Sequence, residues 1–172
     1  MAEETKQAET KTEEVPQEPV NADIQGMVSQ FEATLDEYMV KKAPFHIPAN
    51  GKEFLVKVSP YVVLVFALLT VPVIIAGLGL TALLSPFAMM GGYYHFGVLG
   101  LISGLLSLVA LVVELTAVKG LFNRTHAAWR LMYYASLIAF ASNIISFNIV
   151  GGIIGSVIGW YILFQVKALY KN

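Results

Sequence analysis

Cysteine is absent from the 172 residues, which excludes disulfides, thiolate metal sites, S-palmitoyl anchors and thiol nucleophiles. Charge is scarce at 13% and missing altogether from two long stretches, 58–113 and 131–166, which contain no Asp, Glu, Lys or Arg. A chain with 56% hydrophobic residues gathered into such stretches is excluded from the ordinary soluble class. Histidine occurs only three times, at His46, His95 and His126, with no second His or carboxylate at ligand spacing from any of them. No GxSxG, HExxH, Walker loop or paired carboxylate within the apolar runs appears, so the common hydrolase, zinc-protease and nucleotide-binding chemistries have no residues to work with. The serines in those runs lack a neighbouring His or Lys to deprotonate them and are poor nucleophiles. The expectation is a protein that is not an enzyme, with no catalytic residue, metal or cofactor and no nucleic-acid partner.

What charge there is has an order. Lys52 and Lys57 precede the first apolar stretch, Lys119, Arg124 and Arg130 lie between the two, and Lys167 and Lys171 follow the second. The turns that must divide each stretch are uncharged. An even number of crossings between basic clusters then puts every cluster on the cytoplasmic side by the positive-inside rule. The first apolar run starts too far into the chain, and is too long, for a cleaved signal peptide, so it reads as a retained anchor. The second run, 36 residues, is too long for one crossing of a hydrocarbon layer roughly 30 Å thick and long enough for two short ones. The expected fold is all-α: an integral membrane four-helix bundle over 58–172, with crossings near 60–84, 96–118, 127–146 and 149–166 and both termini cytoplasmic.

Local signals place the ends of these helices. Ser59-Pro60 reads as an N-cap followed by proline at the first helical position. Ser85-Pro86 reads as a stop, and 89–95 as an external turn with interfacial aromatics. A basic loop over 119–130 holds Trp129 at headgroup level, and the second run folds back at Ser146-Phe147-Asn148. The match of Asn123-Arg124-Thr125 to a glycosylation sequon is chance if that loop is cytoplasmic.

The first 50 residues are electrically a different object, with 4 Lys against 10 Asp and Glu, a net −6, whereas the remainder carries 7 Lys and Arg against Glu53 and Glu114, a net +5. Residues 1–20 have almost no large apolar side chains and are expected to remain a disordered acidic tail. Within 21–57, Ile24, Met27, Val28, Phe31, Leu35, Tyr38 and Met39 recur with helical spacing and define an amphipathic cytoplasmic helix. Asn21 or Asp23 can cap it, Lys41 and Lys42 suit its C-terminal dipole, and Pro44 and Pro48 end it. Glu32, Asp36 and Glu37 on its polar face are repelled by anionic headgroups. A protein partner, or the basic loop of the bundle itself, fits better, with Ile24, Phe31 and Leu35 as anchors.

Within the apolar stretches small and polar residues fall in rows. Gly151, Gly155 and Gly159 form a GxxxGxxxG row, and Gly100 and Gly104 a GxxxG pair beside Ser103, Ser107, Ala110 and Glu114. Ala135, Ala139, Ser142, Asn143 and Ser146 make a third such stripe. Such faces serve packing within one bundle or assembly of a homo-oligomer, and a bulky residue at Gly155 is expected to do more damage than one at Gly97. Glu114 is the one acidic residue after Glu53. It reads either as a proton or cation site with Asn143 and the serines, or as a structural group reaching headgroup water or pairing with Lys119, Arg124 or Arg130. Asn143 similarly reads as an interhelical hydrogen-bonding residue or a solute contact. Two functions follow as expectations: a scaffold, accessory subunit or small oligomer in the lipid bilayer, or a transport unit for a small solute, ion or proton along Ser103, Ser107, Glu114 and Asn143.

The runs Gly120-Leu121-Phe122-Asn123-Arg124, Ala128-Trp129-Arg130-Leu131 with Tyr133-Tyr134, and Ile158-Gly159-Trp160-Tyr161-Ile162-Leu163-Phe164-Gln165-Val166 carry a resemblance. Over about 58–171 the chain resembles small uncharacterised four-helix membrane proteins common among small-genome, candidate-phyla bacteria. The resemblance implies a bacterial cytoplasmic membrane and brings no established activity with it.

Overall fold

The computed structural model describes residues 20–92 and 94–171, the side chains of 20–22, 89 and 94–96 aside. The expected acidic tail, but for Val20, and the side chain of His95 therefore lie outside the described residues. Among these, all regular structure is helical. Helix α1 spans Val20–Asp36 and continues as a π-helical turn, Glu37–Lys41; α2 spans Ala49–Met90, α3 Tyr94–Phe122, α4 His126–Ile145 and α5 Ile149–Val166, the last ending in a 3₁₀ turn, Lys167–Leu169. The chain divides between Thr34 and Leu35 into two units. In the first, α1 begins at Val20, so Asn21 and Asp23 sit inside its first turn rather than capping it.

The second unit is an array in which α3 is flanked by α2 and α4, α5 lies against α4, and α2 meets α5 sparingly. Stretches within three of its helices, Ala49–Ala88, Gly97–Phe122 and Ile149–Leu169, are long and apolar enough to cross a membrane. Their outward faces are covered with exposed Leu, Val, Ile and Phe, including Leu68, Val73, Leu83, Phe87 and Val150. A surface of that kind is unfavourable in water and matches an apolar surrounding.

Helix α2 differs from its expected form. Its 42 residues make a rod roughly 60 Å long that runs through Pro60, Pro72 and Pro86 without ending at any of them. Ser59 is accordingly not an N-cap, and Ser85-Pro86 is not a stop. At Pro60 the local chemistry explains the continuity. Proline lacks the N–H that would bond the carbonyl of Val56 four residues earlier. Ser59 Oγ donates to that same carbonyl at 3.0 Å and fills the gap. The helix starts instead after Pro48, whose carbonyl accepts from the Lys52 N–H at 2.9 Å.

The turns are tight. Gly92 takes a left-handed φ of 81° between α2 and α3, Arg124 one of 53° between α3 and α4, and Phe147 one of 58° between α4 and α5. The expected basic loop over 119–130 shrinks to three residues, because α3 extends to Phe122 and α4 begins at His126. Thr125 caps α4, its Oγ1 accepting from the Ala128 N–H at 3.3 Å.

Helix α4 holds the core together. Trp129 and Tyr133 are fully buried, their rings stacked 5.9 Å apart at 6°, and Phe164 of α5 meets both edge-on at 5.3 and 5.7 Å. Trp129 is therefore enclosed between helices rather than exposed on a loop: its indole N–H donates to the Leu163 carbonyl at 2.8 Å, and Lys167 Nζ stands 4.6 Å from its ring centre. A few residues on, Trp160 Nε1 donates to Ser136 Oγ at 2.9 Å.

Candidate functional site

Of the four expected polar residues of the bundle interior, Ser103, Ser107, Glu114 and Asn143, the two serines meet Ser142 of the neighbouring helix, Ser103 through its carbonyl. Ser142 on α4 donates its hydroxyl proton to the Ser103 carbonyl of α3 at 2.7 Å, which leaves Ser107 to donate to Ser142 Oγ at 2.8 Å. Ser103 Oγ turns back on the Gly100 carbonyl of its own helix at 3.0 Å. Asn143 donates to the Ala139 carbonyl at 2.8 Å and accepts from Asn148 Nδ2 at 2.9 Å through Oδ1. It therefore braces the α4–α5 turn. Serines 103, 107 and 142 pin α3 to α4, which their short bonds and burial make a packing device.

The glycine rows divide by helix. Gly100 and Gly104 allow α2 close, since a Cβ on them would come 3.1 Å from Thr81 Cγ2 and within van der Waals overlap of Leu78 Cδ2. On α5 two positions are tight: an added Cβ would lie 2.6 Å from Asn148 Oδ1 at Gly151, and 2.7 Å from Asn143 Cβ at Gly152, which is buried. Gly155 and Gly159 have no atom within 4 Å of such a Cβ and are exposed. Within the row, then, only Gly151 has close neighbours, from the α4–α5 turn, while the contact with α4 itself is made by Gly152, one residue off the row. The expected ranking of bulky substitutions reverses too: a Cβ on Gly97 would stand 2.9 Å from Ser85 Oγ.

Glu114 stands apart from these arrangements. Among the described residues it has no ion pair and no hydrogen bond, and one of its expected partners is committed elsewhere: Arg124 binds Glu53 at 2.8 Å. The carboxyl instead lines two adjoining recesses. The larger, about 500 Å³, has walls of α2 (Phe54, Leu55, Val58, Val62) and α5 (Gly159, Ile162, Leu163, Val166), with Glu114, Leu121, Met132 and Ser136 as its floor. The smaller, about 230 Å³, continues past Glu114 and Ser136 along Asn143, Gly151, Gly155 and Ser156. Together they make a cleft on the side where α2 and α5 barely touch.

At the end of this cleft nearer the chain's basic residues, the structure is tied rather than open. Tyr170 is buried and bonds Ser59 through its hydroxyl at 3.0 Å; burial raises its pKa above the ordinary phenol value, against smaller opposing effects of that hydrogen bond and of Arg124. The segment after α1 is strapped to α5 by Gln165, which donates to the Met39 carbonyl at 2.8 Å, and by Tyr161, whose hydroxyl donates to the Phe45 carbonyl at 2.6 Å. Gln165 is fully buried with its Oε1 unpaired. Lys42 meets Glu37 at 2.7 Å and holds its carboxyl below the ordinary pKa.

Of the expected partner anchors, Leu35 is buried in the second unit at 6% exposure, whereas Ile24 and Phe31 in the first are exposed. Gln165 and Tyr161 enter the sequence reading only through the resemblance, because no local spacing ties a residue of α5 to the distant Met39 and Phe45 carbonyls. Among the described residues no group of His, Asp or Glu is placed to share a metal ion. No protein-family model, curated protein or solved structure matches this chain.

Proposed function

We propose that this chain is a non-enzymatic polytopic membrane protein, a four-crossing bundle that acts as a scaffold or accessory subunit by holding another membrane component against its open side. The three long apolar helices support its insertion, and in this reading the shorter α4 is the fourth crossing. Its lower hydropathy fits that role: wrapped by α3 and α5, it exposes little of itself to lipid and can carry the serines and Asn143 that bind its neighbours. The charge order argues for cytoplasmic termini, and the resemblance for a bacterial cytoplasmic membrane.

The observation that carries this reading over transport is the engagement of the polar side chains. A conducting path along Ser103, Ser107, Glu114 and Asn143 requires those groups to face a common lumen, but the two serines and Asn143 are spent on helix-to-helix and turn contacts. Glu114 shares the smaller recess with Asn143, whose amide is already bonded, and the larger recess has mostly apolar walls. The amphipathic α1, with Ile24 and Phe31 exposed, supplies a second, cytoplasmic element for a protein partner. A small oligomer is the further arrangement open to this bundle, since Gly155 and Gly159 present bare backbone outward.

Reconstitution into liposomes tests the choice. The expected result is no proton or cation flux above that of empty liposomes, for the natural chain and for Glu114→Gln alike. Flux that the natural chain supports and Glu114→Gln abolishes would replace the scaffold with a transporter.

A further inference from the structure

The larger recess between α2 and α5 opens sideways, since Phe54 and Val62 on one lip and Gly159 and Ile162 on the other are exposed. Its volume, about 500 Å³, lies in the range of small-molecule sites. It follows α5 from Gly159, where Glu114 and Ser136 mark its junction with the smaller recess, to Tyr170, a rise of roughly 16 Å. One leaflet of a hydrocarbon layer roughly 30 Å thick has about that depth. Between the two ends the walls are aliphatic, Val58 and Val62 facing Ile162, Leu163 and Val166. The Tyr170 end is where the fold gathers positive charge. The Ser59–Tyr170 bond fastens the end of α5 to α2, and the Arg124–Glu53 pair fastens the α3–α4 turn to the same stretch of α2. Lys171 follows Tyr170, and Lys52 precedes Leu55 by three residues and Ser59 by seven, on their side of α2. Neither lysine side chain has an ion pair or hydrogen bond among the described residues. Lys52, Arg124 and Lys171 thus stand at this end against one carboxylate, Glu53.

We propose that this cleft is a site for an anionic phospholipid of the cytoplasmic leaflet, its phosphate at Lys52 and Lys171 and one acyl chain laid between α2 and α5 toward Gly159. The inference rests on the membrane reading above and names what the open side holds. Depth and charge select the occupant together. The lipid keeps the orientation of its own leaflet, with the head at the basic cytoplasmic end and the tail inward, so no charge enters the apolar layer. The Ser59–Tyr170 bond closes the cleft from the cytoplasmic end, and the chain enters from the side, past the exposed lips. A zwitterionic lipid has the same tail but no net charge, and it forgoes most of the attraction of the two lysines, each worth a factor of about five to an anionic head.

The test uses the full chain in phosphatidylcholine nanodiscs that carry a trace of phosphatidylglycerol or of phosphatidylcholine with a photoreactive group midway along one acyl chain. Phosphatidylglycerol should label 58–62 and 159–163 about tenfold or more above phosphatidylcholine. Lys52→Gln and Lys171→Gln should each lower that labelling about fivefold, and the double variant should bring it to the phosphatidylcholine level, with melting temperature and phosphatidylcholine labelling unchanged. Gly159→Leu fills the inner end of the cleft, where an added Cβ meets no atom within 4 Å, and should lower labelling by both lipids without a fall in melting temperature. Equal labelling by the two lipids, labelling untouched by the double lysine variant, labelling spread evenly over the outward faces of α2 and α3, or a disulfide-linked dimer of Gly159→Cys that excludes the label would each overturn the proposal. Failure of the underlying membrane reading is seen separately, as a chain that does not enter nanodiscs or is stripped from membranes by alkaline wash.

Discussion

Ser59 shows how much a single hydroxyl decides. Its one proton goes to the Val56 carbonyl that Pro60 leaves without a donor, so the bond to Tyr170 has the phenol as donor and Ser59 as acceptor. Tyr170 is thus held neutral by burial, against the smaller opposing effects of the Ser59 hydrogen bond and of Arg124. The sign of its effect on stability follows. Its pKa in the folded protein is above the unfolded value of about 10, so between those values the unfolded chain binds fewer protons than the folded one. The contribution of Tyr170 is therefore fully present below pH ~10 and lost as pH rises through that value and beyond. Thermal melts in detergent should show alkaline destabilisation that is shallower in Tyr170→Phe, and the phenolate absorbance of that variant should lack one late-ionising tyrosine. An identical alkaline profile for the two proteins would count against the buried hydrogen bond.

At the scale of helices, contact rather than motif decides which glycines matter. GxxxG spacing marks a place where backbones can approach, but on α5 the helix rotation turns Gly152 to α4 and leaves Gly155 and Gly159 outward. On α3, Gly97 lies against Ser85 and Gly104 against Leu78. Gly97→Leu should therefore cost about 1–3 kcal/mol by overpacking, read as a fall in melting temperature. Gly155→Leu should leave stability within about 0.5 kcal/mol, the usual range of a surface change. Should Gly155→Leu prove the more damaging of the two, the register of α5 on α4 would have to shift. The same logic explains α4, whose Trp129, expected on the basic loop, lies inside the helix in the aromatic cluster with Tyr133 and Phe164.

For the molecule as a whole, the lack of native cysteine makes topology directly measurable. Single cysteines at Gly91, Asn123, Asn148 and Lys171 should react with a membrane-impermeant reagent in intact cells only at Gly91 and Asn148, which lie in or beside the turns α2–α3 and α4–α5. Labelling at Asn123 from outside would remove α4 as a crossing and with it the four-crossing arrangement. The aromatic cluster and the Ser107–Ser142 bond make a stable α3–α4–α5 unit a reasonable consequence of this arrangement, because in lipid it is close packing and interhelical hydrogen bonds, not hydrophobic burial, that hold helices together.

The helical class, the long apolar elements and the points where the chain turns at Gly91-Gly92 and Ser146–Asn148 were legible in the residues themselves. Composition, periodicity and turn chemistry act locally, and lipid-sized apolar runs admit little besides helix. Proline misled the same reading, since whether it ends a helix depends on a substitute donor such as Ser59, which is a matter of rotamer and neighbours. The sites belong to the tertiary structure. Nothing in the spacing of Glu114 tells that Arg124 is taken by Glu53, that the serines are turned to one another, or that α5 stops short of closing against α2. Those outcomes depend on the rotation and tilt of each helix about its axis, quantities set by the sum of many side-chain contacts between segments far apart in the chain.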